Sequence, residues 1–256
     1  MKNLYFQSKT ILNFDAPISG HQFLLRFIPP NFAGQAIVSA SLKVSPSVDF
    51  TTSTDVFGNC VQTGSIDFPH DEFIYSVEGK AVIDATKKQN ESVHPLFKFP
   101  SVFTKTDSRM CDFVESLNLS GGNLQKSLAI ANAVYSHMTY TPFVTTTQTT
   151  AVEAFALGKG VCQDYSHVFI ALARFAGIPA RYANGLQLGE GQSHAWIEIH
   201  DGSKWIGIDP TQNKLVSEDY IRFCVGRDFS DSALERGTFV GRAFQTGLAT
   251  AKVVEI

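Results

Sequence analysis

The sequence contains 256 residues, of which 44% are hydrophobic, and it carries a formal net charge of −3 with a pI near 6.1. This length predicts one large or two medium domains, with enough apolar side chains to fill their cores. The weak negative charge, without a run of lysines or arginines, argues against nucleic acid or an anionic membrane surface as a partner. Since the chain shows neither a membrane-length apolar run nor a secretory signal, we expect a cytoplasmic protein.

The N-terminal part of the chain is predicted to be rich in β-strands. Its first eight residues, MKNLYFQS, are similar to the remnant of an expression tag, so we expect the native fold to begin near Lys9. Strand-like runs lie at 22–28, 37–44 and 73–83. Turn residues separate these runs, which predicts an all-β domain over residues 9–105. A proline-punctuated segment at 94–100 precedes the first helical periodicity, and we therefore place the second domain at 106–256.

The second domain begins with helical periodicity. Apolar residues recur at three- and four-residue steps over 108–117 and 123–138, which predicts two helices. Thr150 and Glu153 have the spacing of a capping box and predict a short third helix. From Cys162 onward the same periodicity continues until a glycine and a proline stop it, which predicts a fourth helix with this cysteine in its first turn.

Cys162 is the candidate nucleophile. The free N–H groups and partial positive charge at a helix N-terminus stabilise a thiolate over a thiol, which makes the sulfur reactive. The alternative is an inert buried cysteine, which is the common state of a lone cysteine. The other cysteines are Cys60, Cys111 and Cys224. They show no paired short spacing, which argues against a disulfide scaffold and a cysteine zinc site, and we interpret them as packing residues.

A predicted β-hairpin supplies a base and a carboxylate. Residues 193–200 and 203–210 alternate in polarity on either side of Asp201-Gly202, a two-residue turn signal. With the turn at Asp201-Gly202, His194 lies directly opposite Asp209; with the turn one residue later, the two are diagonal neighbours on the same face. A nucleophile, a histidine base and an orienting carboxylate are what covalent acyl transfer requires.

The other histidines are interpreted as structural. His21 and His70 lie in the β-rich part of the chain. His137 is placed near the C-terminus of a helix, where the helix dipole favours it. His167 follows Cys162 by five residues on the same helix and therefore faces away from it.

The predicted hairpin contains three further large or charged side chains. Glu198 lies on the same strand face as His194, where it could tune the base, but we interpret it as a plain sheet-edge carboxylate. Trp196 and Trp205 either form walls of the cleft or bury apolar area.

Four sequence blocks together carry a family resemblance. They are GVCQDY at 160–165, GIPARY at 177–182, SHAWIE at 193–198 and GIDPT at 207–211. In this order they resemble the core of the bacterial transglutaminase-like superfamily, whose members are often described as cysteine proteases. Residues before 105 resemble the N-terminal β domain of these proteins. The resemblance implies an α+β fold, an N-terminal all-β domain followed by a papain-like core with helices packed on an antiparallel sheet, and a Cys162, His194 and Asp209 triad.

The resemblance also implies a function. We expect a thiol-dependent enzyme that acts on amide bonds of a peptide or protein substrate through a thioester, most simply by hydrolysis and without a cofactor. The alternatives are a protein-glutamine transglutaminase, a deglycosylating amidase, and a non-catalytic protein-binding module on the same fold. Calcium-dependent transglutaminases use a tryptophan ahead of the cysteine, whereas both tryptophans here follow Cys162. No EF-hand spacing is visible, so we expect hydrolysis without added metal. The backbone N–H of Cys162 is the candidate oxyanion donor.

Overall fold

The computed structural model describes residues 1–87 and 89–256, which form two large antiparallel sheets with helices packed against the second. The N-terminal strands are β1 (Lys2–Leu25), β2 (Gln35–Ser45), β3 (Phe50–Thr54), β4 (Cys60–Ile66) and β5 (His70–Ile83). After a 3₁₀ turn (Pro95–Lys98) come α1 (Ser108–Ser116), α2 (Asn123–His137), β6 (Thr139–Tyr140), α3 (Ala151–Leu157), β7 (Lys159–Gly160) and α4 (Cys162–Phe175). The remaining elements are β8 (Ala180–Gln187), β9 (Gly189–Gly191), β10 (His194–His200), β11 (Trp205–Asp209), β12 (Lys214–Leu215), β13 (Tyr220–Gly226), α5 (Phe229–Ser232), β14 (Glu235–Val240) and β15 (Gln245–Glu255).

The long strand β1 organises the first sheet. Its first half pairs with β5 on one edge and β15 on the other, and its second half pairs with β4 and β14. The β5 pairing shifts register between Asn13 and Ile18, where the strand changes partners. Because such a bulge bends a strand, β1 serves both halves of a curved sheet.

Residues 2–8 form the start of β1, so the fold begins before Lys9, which corrects the expected start. Leu4 and Phe6 are fully buried on the inner face of β1. Residues 4–14 pair in continuous register with β15. The predicted first strand at 22–28 also began too late, since the strand extends from Lys2 to Leu25.

The C-terminal end of the chain returns to the first sheet. β14 and β15 flank β1, although the sequence-based division assigned all of 106–256 to a separate second domain. The β-rich part is thus assembled from both ends of the chain, and 9–105 describes only its N-terminal portion. Long-range pairing of this kind leaves no local signal in the sequence.

The second sheet has the strand order β12-β11-β10-β8-β13 and carries the helices on one face. The fully buried α4 residues Val168, Phe169 and Leu172 pack with Ile197 and Ile199 of β10 in one apolar cluster. The predicted helices over 108–117 and 123–138 and the one beginning at Cys162 are confirmed.

The two sheets are joined by a shared apolar core. Leu186 of β8 and Ile221 and Phe223 of β13 belong to the same buried cluster as Phe6 of β1. The predicted α+β class is confirmed. Within residues 1–87 and 89–256, no helix has the length and apolarity needed to cross a membrane.

Candidate active site

Cys162 lies at the first helical position of α4, as predicted. α3 begins with the predicted capping box of Thr150 and Glu153 and ends at Gly158, whose φ of 63° is left-handed. The short strand β7 then pairs with β6 and leads directly to the cysteine. The first N–H groups of a helix have no partner within it and attract negative charge. Cys162 is partly exposed, so its side chain lies at the surface beside these N–H groups.

Asp164 fixes the chain immediately before Cys162. Its Oδ2 accepts hydrogen bonds from the backbone N–H of Val161 and the hydroxyl of Thr145, each at 2.7 Å. A Cβ on Gly160 would lie 2.4 Å from the same Oδ2, so glycine is required for this close approach. Burial raises the pKa of Asp164 even though these hydrogen bonds favour its ionised form.

His194 and Asp209 meet on the hairpin in the second of the two predicted registers. β10 and β11 pair His200 with Trp205 and Ile197 with Ile208, which places the turn at Gly202-Ser203. The side chain of Asp201 decides this register, because its Oδ1 accepts from the backbone N–H groups of both Ser203 and Lys204.

The turn at Asp201-Gly202 is therefore wrong, and the base and the carboxylate are diagonal neighbours. Their side chains still meet, and His194 Nε2 lies 2.7 Å from Asp209 Oδ2. Both predicted residues thus contact each other at the same end of the hairpin.

Asp209 is fully buried and held by four donors. Its Oδ1 accepts from the backbone N–H groups of Thr211 and Gln212. Its Oδ2 accepts from Tyr220 Oη at 2.8 Å in addition to His194. Burial raises the pKa of this carboxyl, but the hydrogen bonds from His194 and Tyr220 outweigh burial and the pKa is lowered. Asp209 is therefore ionised at neutral pH and has a fixed orientation.

His194 is held in its protonated form by its two neighbours. Burial lowers the pKa of its imidazole, but the hydrogen bond to Asp209 and the interaction with the Cys162 sulfur raise it to about 9. Since Nε2 is bound by Asp209, the other ring nitrogen is the one available to the thiol. This arrangement favours an imidazolium beside the sulfur at neutral pH.

Cys162 and His194 line a cleft of about 600 Å³, and Asp209 is buried behind His194 without lining it. One wall comes from residues 140–145 and another from residues 187–193. Tyr140 is half-exposed there, and burial together with the charge of Cys162 raises its pKa. Larger depressions of about 650 and 950 Å³ lie on the β-rich sheet, where neither Cys162 nor His194 lines them.

The other histidines have structural contacts, as expected. His21 and His70 are buried against each other, with His21 Nδ1 and His70 Nε2 3.1 Å apart. A ring nitrogen of His137 hydrogen-bonds to the carbonyl of Phe155. His167 is fully buried, and its Nε2 accepts from the backbone N–H of Phe229.

Glu198 is not the sheet-edge carboxylate that the sequence suggested. It is buried and accepts hydrogen bonds from Arg181 of β8, the neighbouring strand, and from Arg222 of β13, the strand beyond it. Burial raises the pKa of Glu198, but the two arginines outweigh this and lower it. Trp205 lies over Arg181 at 4.1 Å, and Trp196 is buried between His194 and Tyr220. The two tryptophans are thus mainly packing residues.

The remaining cysteines are free thiols in different settings. Burial raises the pKa of Cys224 to about 12 and also raises that of Cys60. Cys111 is partly exposed beside the Thr106 hydroxyl. None of these three lines the cleft, which agrees with their assignment as packing residues.

Two residues of the site were not foreseen. Tyr220 comes from β13, which is not a neighbour of β11 in the sheet, so no local pattern connects it with Asp209. Asp164 could have been found, because an acidic residue three positions after the residue that precedes a helix commonly accepts from its N–H.

Comparison with known proteins agrees with this fold. Residues 113–210 match the model of the transglutaminase-like superfamily, and residues 6–82 match the model of the bacterial transglutaminase-like N-terminal region. The second match begins inside the segment that was first interpreted as a tag, which supports its place in the fold.

Individual relatives cover most or part of the chain. An uncharacterised protein of Mycobacterium leprae is 25% identical over 254 residues, which are 90% of each chain. An uncharacterised protein of Mycobacterium tuberculosis is 32% identical over 124 residues, 42% of this chain and 40% of its own length. The solved structure of a Cytophaga hutchinsonii protein named "Putative Cysteine Protease" superposes with a TM-score of 0.81 at 22% identity, covering 100% of this chain and 91% of that one. At this identity the likeness establishes the fold.

Proposed function

The chain belongs to the transglutaminase-like superfamily, and we propose that it is a thiol-dependent enzyme that hydrolyses amide bonds of peptides or proteins. One observation carries the proposal. His194 is placed between the Cys162 sulfur and the buried Asp209 carboxylate, and both neighbours raise the pKa of its imidazole to about 9. A protonated base beside a helix-terminal sulfur is the resting state that thiolate chemistry requires.

In the first half of the reaction, the Cys162 thiolate forms a bond to the substrate carbonyl carbon, and the carbonyl electrons move to oxygen. The backbone N–H of Cys162 is the proposed donor to that oxygen. When the intermediate collapses, the C–N bond breaks and His194 gives its proton to the departing amine. A thioester on Cys162 and a neutral imidazole remain.

In the second half, water attacks the thioester carbon while His194 accepts one of its protons. The C–S bond breaks, the carboxylic acid leaves, and the thiolate and imidazolium are restored. Asp209 keeps one tautomer and one ring orientation of His194 in both halves, because its own position is fixed by Thr211, Gln212 and Tyr220.

The open cleft favours water as the acceptor. Cys162 is partly exposed and the His194 side chain retains 15% of its accessible surface, so solvent reaches the place where the thioester forms. A Cys-His-Asp site also needs no metal to activate its nucleophile. Fold alone does not determine whether water or an amine accepts the acyl group from the thioester. The experiment must therefore distinguish hydrolysis from amine transfer.

The test is to incubate the purified protein with a peptide library in the presence of chelator, with and without a primary amine, and to analyse products by mass spectrometry. We expect cleaved or deamidated peptides in chelator. Amine incorporation that occurs only with calcium would contradict hydrolysis and support a transglutaminase.

Two variants control this experiment. Cys162→Ala should abolish all turnover, whereas Cys111→Ala, which changes another partly exposed cysteine outside the cleft, should retain it. Substantial turnover in Cys162→Ala would refute the assignment of the nucleophile. Slow and unselective alkylation of Cys162, without turnover, would support a binding module instead.

A further inference from the structure

The cleft wall contains a side chain whose placement the fold does not explain. Phe143 is fully exposed, with a relative accessibility of 102%, and its φ of 65° is left-handed. It follows Pro142 in a turn, at a position where glycine is usual because glycine alone accepts positive φ without strain. A bulky residue in this conformation is an outlier that the surrounding structure must hold in place.

Hydrogen bonds hold the loop on both sides of Phe143. The backbone N–H of Thr141 donates to the carbonyl of Gly160, and the Thr145 hydroxyl donates to Asp164 Oδ2. Both acceptors lie within two residues of Cys162. The loop that presents Phe143 is thus tied at each end to the backbone that positions the nucleophile.

The ring of Phe143 contributes no burial that would offset the strained backbone. An exposed phenylalanine is ordinary by itself, and a left-handed residue is ordinary when it is glycine. An exposed phenylalanine with a left-handed φ has an unfavourable backbone conformation that no side-chain packing offsets. Backbone strain of this kind is concentrated at functional sites, where the residue is retained for what it binds.

The opposite stretch of the lining supplies a second apolar side chain. Leu188, between β8 and β9, is 37% exposed and lines the same cleft as Phe143. Among the described lining residues, Glu190 is the one with a fixed charge, and it is acidic. Its carboxylate is paired with Lys252 Nζ at 2.8 Å, which compensates its charge. The cleft therefore offers apolar side chains and no uncompensated lysine, arginine or carboxylate among its described lining residues.

We propose that Phe143 and Leu188 determine specificity by contacting an aromatic or large aliphatic side chain next to the reacting carbonyl. This inference rests on the proposed function, since it concerns the substrate of the same cleft. Contact with a ligand side chain would bury the Phe143 ring, which the free protein leaves in water.

The test uses tripeptide vinyl sulfones, which alkylate a cysteine after binding and require no hydrolysis. Each of the three positions carries phenylalanine, leucine, alanine or aspartate in turn, and labelling of Cys162 is followed by intact mass. We expect phenylalanine or leucine at one position to label at least tenfold faster than alanine or aspartate. Equal labelling rates at every position would overturn the inference.

Substitutions of Phe143 test whether its ring causes the preference for phenylalanine or leucine in the probe. In Phe143→Gly, which keeps the turn without strain, the preference should fall to about twofold or less while the melting temperature is unchanged or higher. Phe143→Leu should retain most of the preference. Phe244→Ser, which removes another exposed phenylalanine outside the cleft, should leave it unchanged. A full preference in Phe143→Gly would overturn the role of Phe143.

Iodoacetamide separates this inference from the proposed function. This small reagent makes no contact that depends on the tripeptide, so its rate with Cys162 of the parent reports the nucleophile alone, and Phe244→Ser should leave that rate unchanged. A slow parental rate would contradict the proposed nucleophile. A normal rate with unselective tripeptide probes would contradict the specificity assignment alone.

Discussion

β10 presents two ionisable side chains on the same sheet face, His194 and Glu198, and the protein surrounds them differently. His194 has one carboxylate partner on one side and the cleft on the other, and its side chain keeps 15% of its surface. Glu198 is enclosed by Arg181 and Arg222 and keeps 5%. Trp196 lies between them on the strand.

The difference indicates that two ionisable residues of the same strand have different roles. The pKa of His194 is raised to about 9. The imidazole can therefore donate a proton and accept one again within a few pH units of neutrality, as a general acid and base must. The Glu198 charge is compensated by two arginines and is shielded from solvent, so its protonation state is fixed across the neutral range. We infer that the Glu198 cluster stabilises the sheet, whereas the His194 pair performs the reaction.

The largest effect on turnover is expected from removing the charge of Asp209, the carboxylate that binds His194. Asp209→Asn should lower kcat by about 10⁴, as loss of the orienting carboxylate does in serine triads, because the imidazole loses its fixed tautomer and its raised pKa. Steady-state kinetics on the best library peptide measures this. Turnover within tenfold of the parent would contradict the role of Asp209.

The same variant also has a structural cost. Asp209 is fully buried with donors on both oxygens, and an amide replaces one acceptor by a donor that faces Tyr220 and His194. We therefore expect a lower melting temperature, with near-UV circular dichroism unchanged. Loss of the near-UV signal would mean that the kinetic effect reports unfolding instead.

Substitution of Glu198 is expected to change turnover less than Asp209→Asn does, and to lower stability more. Glu198→Gln removes the buried one of the two carboxylates that Arg181 and Arg222 share, and Glu91 remains as the other. Breaking a buried pair costs about 3 to 5 kcal/mol, and we expect the lower end because Glu91 still compensates the arginines. Thermal unfolding should show a decrease in melting temperature of roughly 10 °C, taking about 2 to 4 °C per kcal/mol for a protein of this size.

The kinetic readout of Glu198→Gln distinguishes structure from catalysis. At a temperature where the variant is folded, the pH dependence of kcat/KM should match that of the parent. A displaced alkaline limb would show that Glu198 tunes His194, which is the alternative that the shared strand face first suggested.

The candidate residues could be found in the sequence because each lies in a local pattern. Cys162 follows a glycine-bounded loop at a helix start, and His194 and Asp209 flank a hairpin signal. The register was ambiguous by one residue, since Asp201-Gly202 and Gly202-Ser203 can both form a turn. Only the side-chain hydrogen bonds of Asp201 distinguish the two turns.

Several contacts that the sequence did not predict join distant segments. The arginines around Glu198 come from β8 and β13, and Tyr220 reaches Asp209 from a strand that is not adjacent to β11. The pairing of residues 2–8 in β1 was not predicted, because the fold was expected to begin near Lys9. Their burial depends on β15, more than 200 residues away.

The pH dependence of two reactions of Cys162 tests the central claim most directly. The account requires protonated His194 for amide cleavage, because the leaving amine takes that proton, whereas alkylation requires only the thiolate. The pKa of His194 is raised above its ordinary value to about 9, so the protonated form and the stability it contributes are fully present below about pH 6.5 and are lost as the pH rises through 9.

Peptide hydrolysis and iodoacetamide alkylation are measured on the same protein between pH 6 and 10.5. We predict that kcat/KM for the peptide falls about tenfold per pH unit above roughly pH 9, while the alkylation rate of Cys162 stays constant or increases there. Peptide hydrolysis that continues to increase in parallel with alkylation above pH 9 would contradict the claim that His194 supplies the proton.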